Sequence, residues 1–334
     1  VKQFYTIPIF IPELACPHRC VFCNQHSITS VLKAPTLEEA HSIIEKYLNT
    51  IPGNKTVDIG FLGGNFTGIP AKEQEAYLKS AQPYLQSGKV SGIRVSTRPD
   101  YISEEILSLL KSYGVTTIEL GAQSMDKSVL QKSGRGHTTE DTQKAAELIK
   151  AAGISLGLQM MTGLPGDTAK GALKTARQII SMGADNTRIY PTLVVKGTYL
   201  ETLWREGKYR PQTMEETLDL LSELLPLFRE NDVDILRVGL HPTEGFLSGE
   251  DLLAGPFHPS LKALALSRMW KKKLHQKTQN LKTNAIKIRV NPKDIPHAVG
   301  YQSENKKWLL TKFGKVGFEQ DTKIKEETLH VDCC

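Results

Sequence analysis

"GIRVSTRPDYISEEILSLLKSYGVTTIELGAQS" (92–124) holds the reading that decides the fold. Residues 92–97 form a short β-prone run, read as a strand. Ser103 then offers an N-cap and Gly114 a stop, which brackets a helix over 103–114. Residues 115–121, "VTTIELG", resume as a strand. A helix between two strands carries the chain back across the sheet, so both strands run the same way.

The same unit recurs on either side. Residues 3–11 read as a strand, 36–49 as a helix whose Thr36 and Glu39 form a capping box, and 57–62 as a strand followed by a helix over about 70–86. Downstream lie a helix at 138–153, a strand at 154–160, a helix at about 168–182, a strand at 186–193, a helix at about 213–230 and a strand at 234–240. Five or six repeats of this kind predict an α/β fold, a partial (β/α)6-type TIM-like barrel. Periodicity alone leaves an open doubly wound sheet as the alternative. In both, ligands sit beyond the C-terminal ends of the strands. The unusual segments fall there: a cysteine loop, "GGNFTG", "STRPD", "GAQS", "MMTGLPGD" and "YPTLVVKGT".

Residues 1–245 are expected to form this barrel and 246–334 a small basic α/β region. The latter reads as a loop ("GEDLLAGPFHPS"), a basic helix from Leu261, a strand "AIKIRV" and a short helix at about 303–313. The charge is uneven. Residues 261–330 carry 16 Lys and Arg against 6 Asp and Glu, leaving 26 against 30 elsewhere, within a total of +6. Such a segment is either a solvated face or a nucleic-acid footprint. No apolar run is long enough to span a bilayer, and the apolar start reads as a strand rather than a signal peptide. Five cysteines in 334 residues, without an even spread, argue against a disulfide scaffold and make a cytoplasmic setting the expectation.

Three of those five crowd into "ELACPHRCVFCNQ" (13–25), as Cys16, Cys20 and Cys23. The cysteines alone leave three readings open. Zinc would need a fourth ligand such as His18 or His26. An iron–sulfur cluster with three protein thiolates would keep one iron for a ligand. Buried small hydrophobes would need nothing further.

The form C-x-x-x-C-x-x-C after a first strand, with an aromatic before its last cysteine and "GGNFTG" after the next strand, resembles the radical S-adenosylmethionine (SAM) superfamily. "STRPD", "TIELGAQSMDKSVL", "SGRGHT", "LGLQMMTGLPGDT" and "RIYPTLVVKGT" are similar to the branch that contains the catalytic subunit of Elongator, a tRNA-modifying enzyme. The resemblance covers about residues 5–240. Residues 241–334 hold no Q-x-x-G-x-G/A loop of the kind that binds acyl-CoA, so an acyl-CoA-dependent reaction is not expected of them.

The resemblance implies a [4Fe-4S] cluster on Cys16, Cys20 and Cys23. It also implies SAM as cofactor, and a low-potential electron donor such as flavodoxin or ferredoxin as partner. SAM, once reduced, would yield a 5′-deoxyadenosyl radical that takes hydrogen from an unactivated carbon. Phe22 would pack over the cluster or the adenine. Gly63, Gly64 and Asn65 would meet the methionine end of SAM, with Asn65 standing where many members have Glu. Ser96 and Arg98 are candidates for its carboxylate or ribose, an ordinary ion pair being the alternative for Arg98. Gln123 and Ser124 read as pocket residues or a loop cap. Gln159, Met161 and Arg188 complete the expected cofactor set, with packing an alternative for Met161. Arg135, His137 and Tyr190 are candidate substrate contacts, as are Lys271, Lys272 and Lys273. Cys333 and Cys334 read as a frayed end or as auxiliary thiols.

RNA is the expected partner, and carbon modification of a base, methylation being one form, the expected reaction. The alternatives are a radical SAM oxidoreductase acting on a small molecule or porphyrin, one acting on a protein, and a non-enzymatic zinc protein that binds RNA. Nothing in the sequence fixes the oligomeric state.

Overall fold

The computed structural model describes residues 4–12, 16, 20–29, 31, 33–53 and 55–333, apart from the side chain of His26. It forms two compact units, residues 1–212 with 228–256, and residues 213–227 with 257–334.

The first unit is built on a seven-stranded sheet. Its strands are β1 (Phe4–Ile11), β2 (Thr56–Gly63), β3 (Gly92–Thr97), β4 (Val115–Gln123), β5 (Ser155–Thr162), β6 (Asn186–Pro191) and β7 (Asp234–Val238). Every neighbouring pair is parallel and spatial order follows chain order, with β1 and β7 as edges. A doubly wound sheet would reverse its order part-way. The partial barrel expected from the repeats is therefore the fold found, with seven strands rather than six.

Local chemistry sets the helices. α1 (Leu37–Leu48) starts at the Thr36–Glu39 capping box, α3 (Glu104–Ser112) at Ser103 and α4 (Thr139–Ala151) at a second capping box on Thr138 and Asp141. α2 (Ala71–Gln86) and α5 (Ala169–Ser181) fill the places expected for them. Side chains alternate across a strand. Ile59, Phe61, Ile93, Val95, Ile118, Leu120, Leu156 and Leu158 share one face and are fully buried. Burial of each is worth about 1.5–3 kcal/mol. The other face, lining the partial barrel, carries Asp58, Arg94, Ser96, Glu119, Gln159 and Arg188. The core therefore lies on the helix side and the polar chemistry on the other.

Strand β6 ends at Pro191, short of the expected 193. Val194–Val195 instead pair antiparallel with Leu252–Ala254, inside a stretch read as loop.

In the second unit, β8 (Ala285–Val290) pairs parallel with β9 (Lys315–Gln320) and antiparallel with β10 (Leu329–Cys333). Helix α6 (Met214–Arg229) contributes residues 214–227 to this unit. α7 (Leu261–Thr278) and α8 (Glu304–Leu310) belong to it wholly. Asn305 is fully buried and donates to the carbonyls of Ser267 and His297 at 3.0 and 3.3 Å, tying α8 to α7. Strands β9 and β10 were not legible in the sequence. The frayed end expected at Cys333 is corrected: Cys333 closes β10 opposite Ile286. Cys334 lies outside the described residues. Among the described residues, no helix is long and apolar enough to cross a membrane.

Candidate active site

The cysteine loop leaves β1 at its C-terminal end, and its second half is fixed from two sides. The Val21 amide donates to the Ser133 carbonyl at 3.0 Å, and the Leu200 amide donates to the Val21 carbonyl at 2.7 Å. Phe22 packs with Val21, Val194, Leu200 and Tyr209 in an apolar cluster that also takes Trp204. Cys20 is buried, Cys23 half-buried and Cys16 exposed. Arg135 Nη1 donates to Cys20 Sγ at 3.3 Å, and Gln25 Nε2 approaches Cys23 Sγ at 3.5 Å. Among the described residues, no three His, Cys, Asp or Glu side chains are gathered as a metal-binding group. His18 lies outside the described residues, as does the side chain of His26.

From Cys20 a chain of contacts crosses the ends of the strands. Arg135 also donates to the Gly121 carbonyl through Nη2 at 2.7 Å. Its own carbonyl accepts from Arg98 Nη2 at 2.8 Å. Arg98 is buried and grips Asp100 with Nε and Nη2 at 3.0 and 2.8 Å, the ion pair weighed as its alternative role. The Arg98 amide donates to Asn65 Oδ1 at 3.2 Å, which also accepts from Thr97 Oγ1 at 2.6 Å. Asn65 thus serves as a strut between the ends of β2 and β3. Beside it, the Gly64 amide donates to the Ile11 carbonyl at 3.0 Å. Gly63 has φ +113, and a Cβ there would stand 3.0 Å from that same oxygen.

Gln123 ends β4 with φ +62, a left-handed conformation that costs a non-glycine residue about 1 kcal/mol or more. Its buried Oε1 has no partner among the described residues, and neither has Nε of Arg135. Ser124 serves the loop, accepting from the Asp126 amide at 3.1 Å. His137 is buried, and its pKa is pushed down to about 3 by that burial and by the guanidiniums of Arg135 and Arg98. It is held as the neutral imidazole, which can still offer one N–H donor.

Deeper in the barrel is a network that sequence reasoning missed. Glu119 is 1 % exposed and holds two arginines. Arg94 Nη1 donates to it at 2.8 Å, Arg188 Nε at 2.6 Å and Arg188 Nη2 at 3.1 Å, while Gln159 Nε2 adds a bond at 3.1 Å. Burial pushes the Glu119 carboxyl up, but Arg188 and Arg94 together outweigh it and the net shift is downward. Gly157 makes the room: a Cβ there would sit 2.9 Å from Glu119 Cγ. Asp58 stands 4.0 Å from Arg94, and burial raises its carboxyl to about 6. Gln159 and Arg188, expected to meet the cofactor, are thus engaged by Glu119. Tyr190 lies beside Arg188, its phenol pushed up by burial. Ser96 and Met161 line the same face. The available signal was a charge in mid-strand on each of β2, β3, β4 and β6.

Lys271, Lys272 and Lys273 lie in the second unit. Two are already engaged: Lys272 Nζ is 3.5 Å from Asp219, and Lys273 Nζ donates to the Glu327 carbonyl at 2.7 Å.

Residues 11–179 match the radical SAM superfamily, and residues 184–271 match the radical SAM C-terminal domain. The chain belongs to the radical SAM superfamily. Among curated proteins, a tRNA uridine(34) acetyltransferase of Methanocaldococcus jannaschii is 27% identical over 249 residues, covering 62% of this chain and 46% of that protein. Human Elongator complex protein 3 is 28% identical over 270 residues, covering 74% and 47%. The chain spans about half the length of these relatives. Among solved structures, the archaeal Elp3 of Methanocaldococcus infernus with an N-terminal deletion superposes with TM-score 0.67 at 22% identity, over 81% of this chain and 64% of that one. It shares the fold.

A radical SAM enzyme works with an iron–sulfur cluster and SAM, and the residues present fit both. Three thiols on one loop form the donor set, and the N–H groups of Arg135 and Gln25 face two of their sulfurs. The side-chain-free approach at Gly63 and the orphaned polar atoms of Gln123 and Arg135 fit a polar ligand across the strand ends.

Proposed function

We propose that this radical SAM enzyme modifies RNA at a base carbon. Cys16, Cys20 and Cys23 would hold the [4Fe-4S] cluster, and Gly63, Gly64, Gln123 and Arg135 would border SAM. When bound, the two cofactors supply an electron and a 5′-deoxyadenosyl radical that can take hydrogen from an unactivated carbon. The protein's own residues exclude water and fix geometry. Phe22 and its apolar neighbours close one side of the loop, while Arg98 and Asn65 fix the strand ends. The observation that carries the reading is the unbroken contact chain from Cys20 through Arg135 and Arg98 to Asn65, joining the cysteine loop to the ends of β2, β3 and β4.

RNA is favoured by the tRNA named in the curated relatives and by the basic excess of residues 261–330. A base carbon that is neither acidic nor nucleophilic is the kind of target that calls for a radical; methylation is one such outcome. A low-potential donor such as a flavodoxin or ferredoxin would deliver the electron.

The test is anaerobic. Protein reconstituted with iron and sulfide is given SAM and dithionite, with and without cellular RNA, and 5′-deoxyadenosine is quantified. Product should require Cys16, Cys20 and Cys23, should rise with RNA, and should accompany a mass change in the RNA. SAM cleavage without any change in RNA mass would overturn the substrate assignment.

A further inference from the structure

We infer that Trp308, flanked by Lys271 and Lys312, is a stacking platform for an unpaired nucleobase of single-stranded RNA; this rests on the RNA reading above and gives it a surface. Of the second unit's aromatics, Trp270 in α7 and Phe313 beyond α8 are buried, while Phe257, Tyr301 and Phe318 are half-buried. Trp308, also half-buried, lies on α8 and lines a surface groove of about 460 Å³ between α6, α7 and α8.

The charges of the groove sort into two groups. Glu215 and Asp219 from α6 both pair with Arg268, and Asp219 lies 3.5 Å from Lys272. Lys273 is held by Glu327. These cations are neutralised within the unit. Lys271 and Lys312 have no carboxylate partner among the described residues. Their ammonium groups lie 5.9 and 4.7 Å from the centre of the Trp308 ring. His275 stacks nearby, with centroids 6.0 Å apart and planes at 27°.

An indole with two unpaired ammonium groups beside it matches one nucleotide of a single strand. The base offers a π-face to the ring, and the phosphates on either side offer charge to the lysines. Each ammonium gives up a weak cation–π contact and gains a phosphate. An acidic protein would use the lysines alone and leave the indole idle. A duplex keeps its bases stacked on one another and has none to offer.

The test uses the full chain and a fluorescein-labelled 12-nucleotide single-stranded RNA, with binding followed by anisotropy from 50 to 200 mM salt. Trp308→Ala should weaken binding by about tenfold or more, within the range for losing one base stack. Trp308→Phe should recover most of it. Lys271→Ala with Lys312→Ala should flatten the salt dependence by roughly one phosphate contact or more. Circular dichroism melts establish that each variant is folded. Wild-type-like binding by Trp308→Ala would overturn the platform and leave the RNA reading standing. Competition by poly-glutamate as effective as that by unlabelled RNA would also overturn it, since charge alone would then be read. No RNA binding by the wild type would overturn both, while the 5′-deoxyadenosine assay would still report on the radical chemistry.

Discussion

Arg135 donates to the sulfur of Cys20 at 3.3 Å while its backbone carbonyl is held by Arg98. One residue therefore couples the cysteine loop to the end of β3 and, through Gly121, to β4. Lysine has a point charge where arginine has a fork, so it cannot serve both acceptors in the same way. Arg135→Ala should lower cluster retention or turnover by about 10–100-fold, the usual effect of removing a residue that orients a metal ligand. Arg135→Lys should fall between. Iron and sulfide per chain after desalting, with visible absorbance, measure retention apart from turnover. Full retention and full turnover in Arg135→Ala would remove this role.

Glu119 is the balancing charge of the barrel interior. Replacing it with Gln takes the carboxylate from the buried Arg188 guanidinium and leaves Arg94 only Asp58, 4.0 Å away. Breaking a buried pair from one side costs about 3–5 kcal/mol. Glu119→Gln should lower the urea midpoint accordingly. A shift within 0.5 kcal/mol or so, the scale of an ordinary surface substitution, would show that the network carries little stability.

How much of this could be read beforehand depends on the range of the interaction. The caps at Thr36 and Ser103 act over three residues and were visible as local patterns. The parallel order follows from strand–helix alternation, and the cysteine spacing pointed to the loop now pinned by Ser133 and Leu200. Partner choice was not visible. Arg98 turns to Asp100, two residues on, and to the carbonyl of Arg135, 37 residues away. Glu119 draws Arg94 and Arg188 from strands 25 and 69 residues distant, and no local pattern specifies such a meeting. Strand β9 (KVGFEQ) is short and carries charges at Lys315 and Glu319, and β10 (LHVDC) is short and half-exposed. Their apolar signal is weak, because pairing with β8 supplies what their own side chains do not.

Gly63 predicts a separation of binding from folding. A Cβ at 3.0 Å from the Ile11 carbonyl, on a residue with φ +113, forces the end of β2 away from β1. The strain is worth about 1–3 kcal/mol. If the strand end cradles SAM, Gly63→Ala should also weaken SAM binding more than tenfold, measured by equilibrium dialysis of the cluster-loaded protein below its melting temperature. A variant that melts earlier yet binds SAM with unchanged affinity would move the cofactor elsewhere.

Asp58 predicts a pH dependence of known sign. Burial raises its folded carboxyl to about 6, with Arg94 opposing, against an ordinary value of 3.8. Between those values the folded chain holds a proton that the unfolded chain has released. This residue's contribution to stability therefore falls as pH rises from about 4 to about 6, and the penalty is complete above that window. Asp58→Asn cannot ionise and leaves Arg94 its bond to Glu119. The variant should be more stable than wild type at pH 7.5, by up to about 3 kcal/mol for a shift of roughly two units. The gap should close as pH falls to 4. Urea melts of both proteins across pH 4–8 measure it. A variant no more stable than wild type at pH 7.5 would mean that Arg94 compensates the ionised carboxylate fully, and that Asp58 is an ordinary member of the charge ladder.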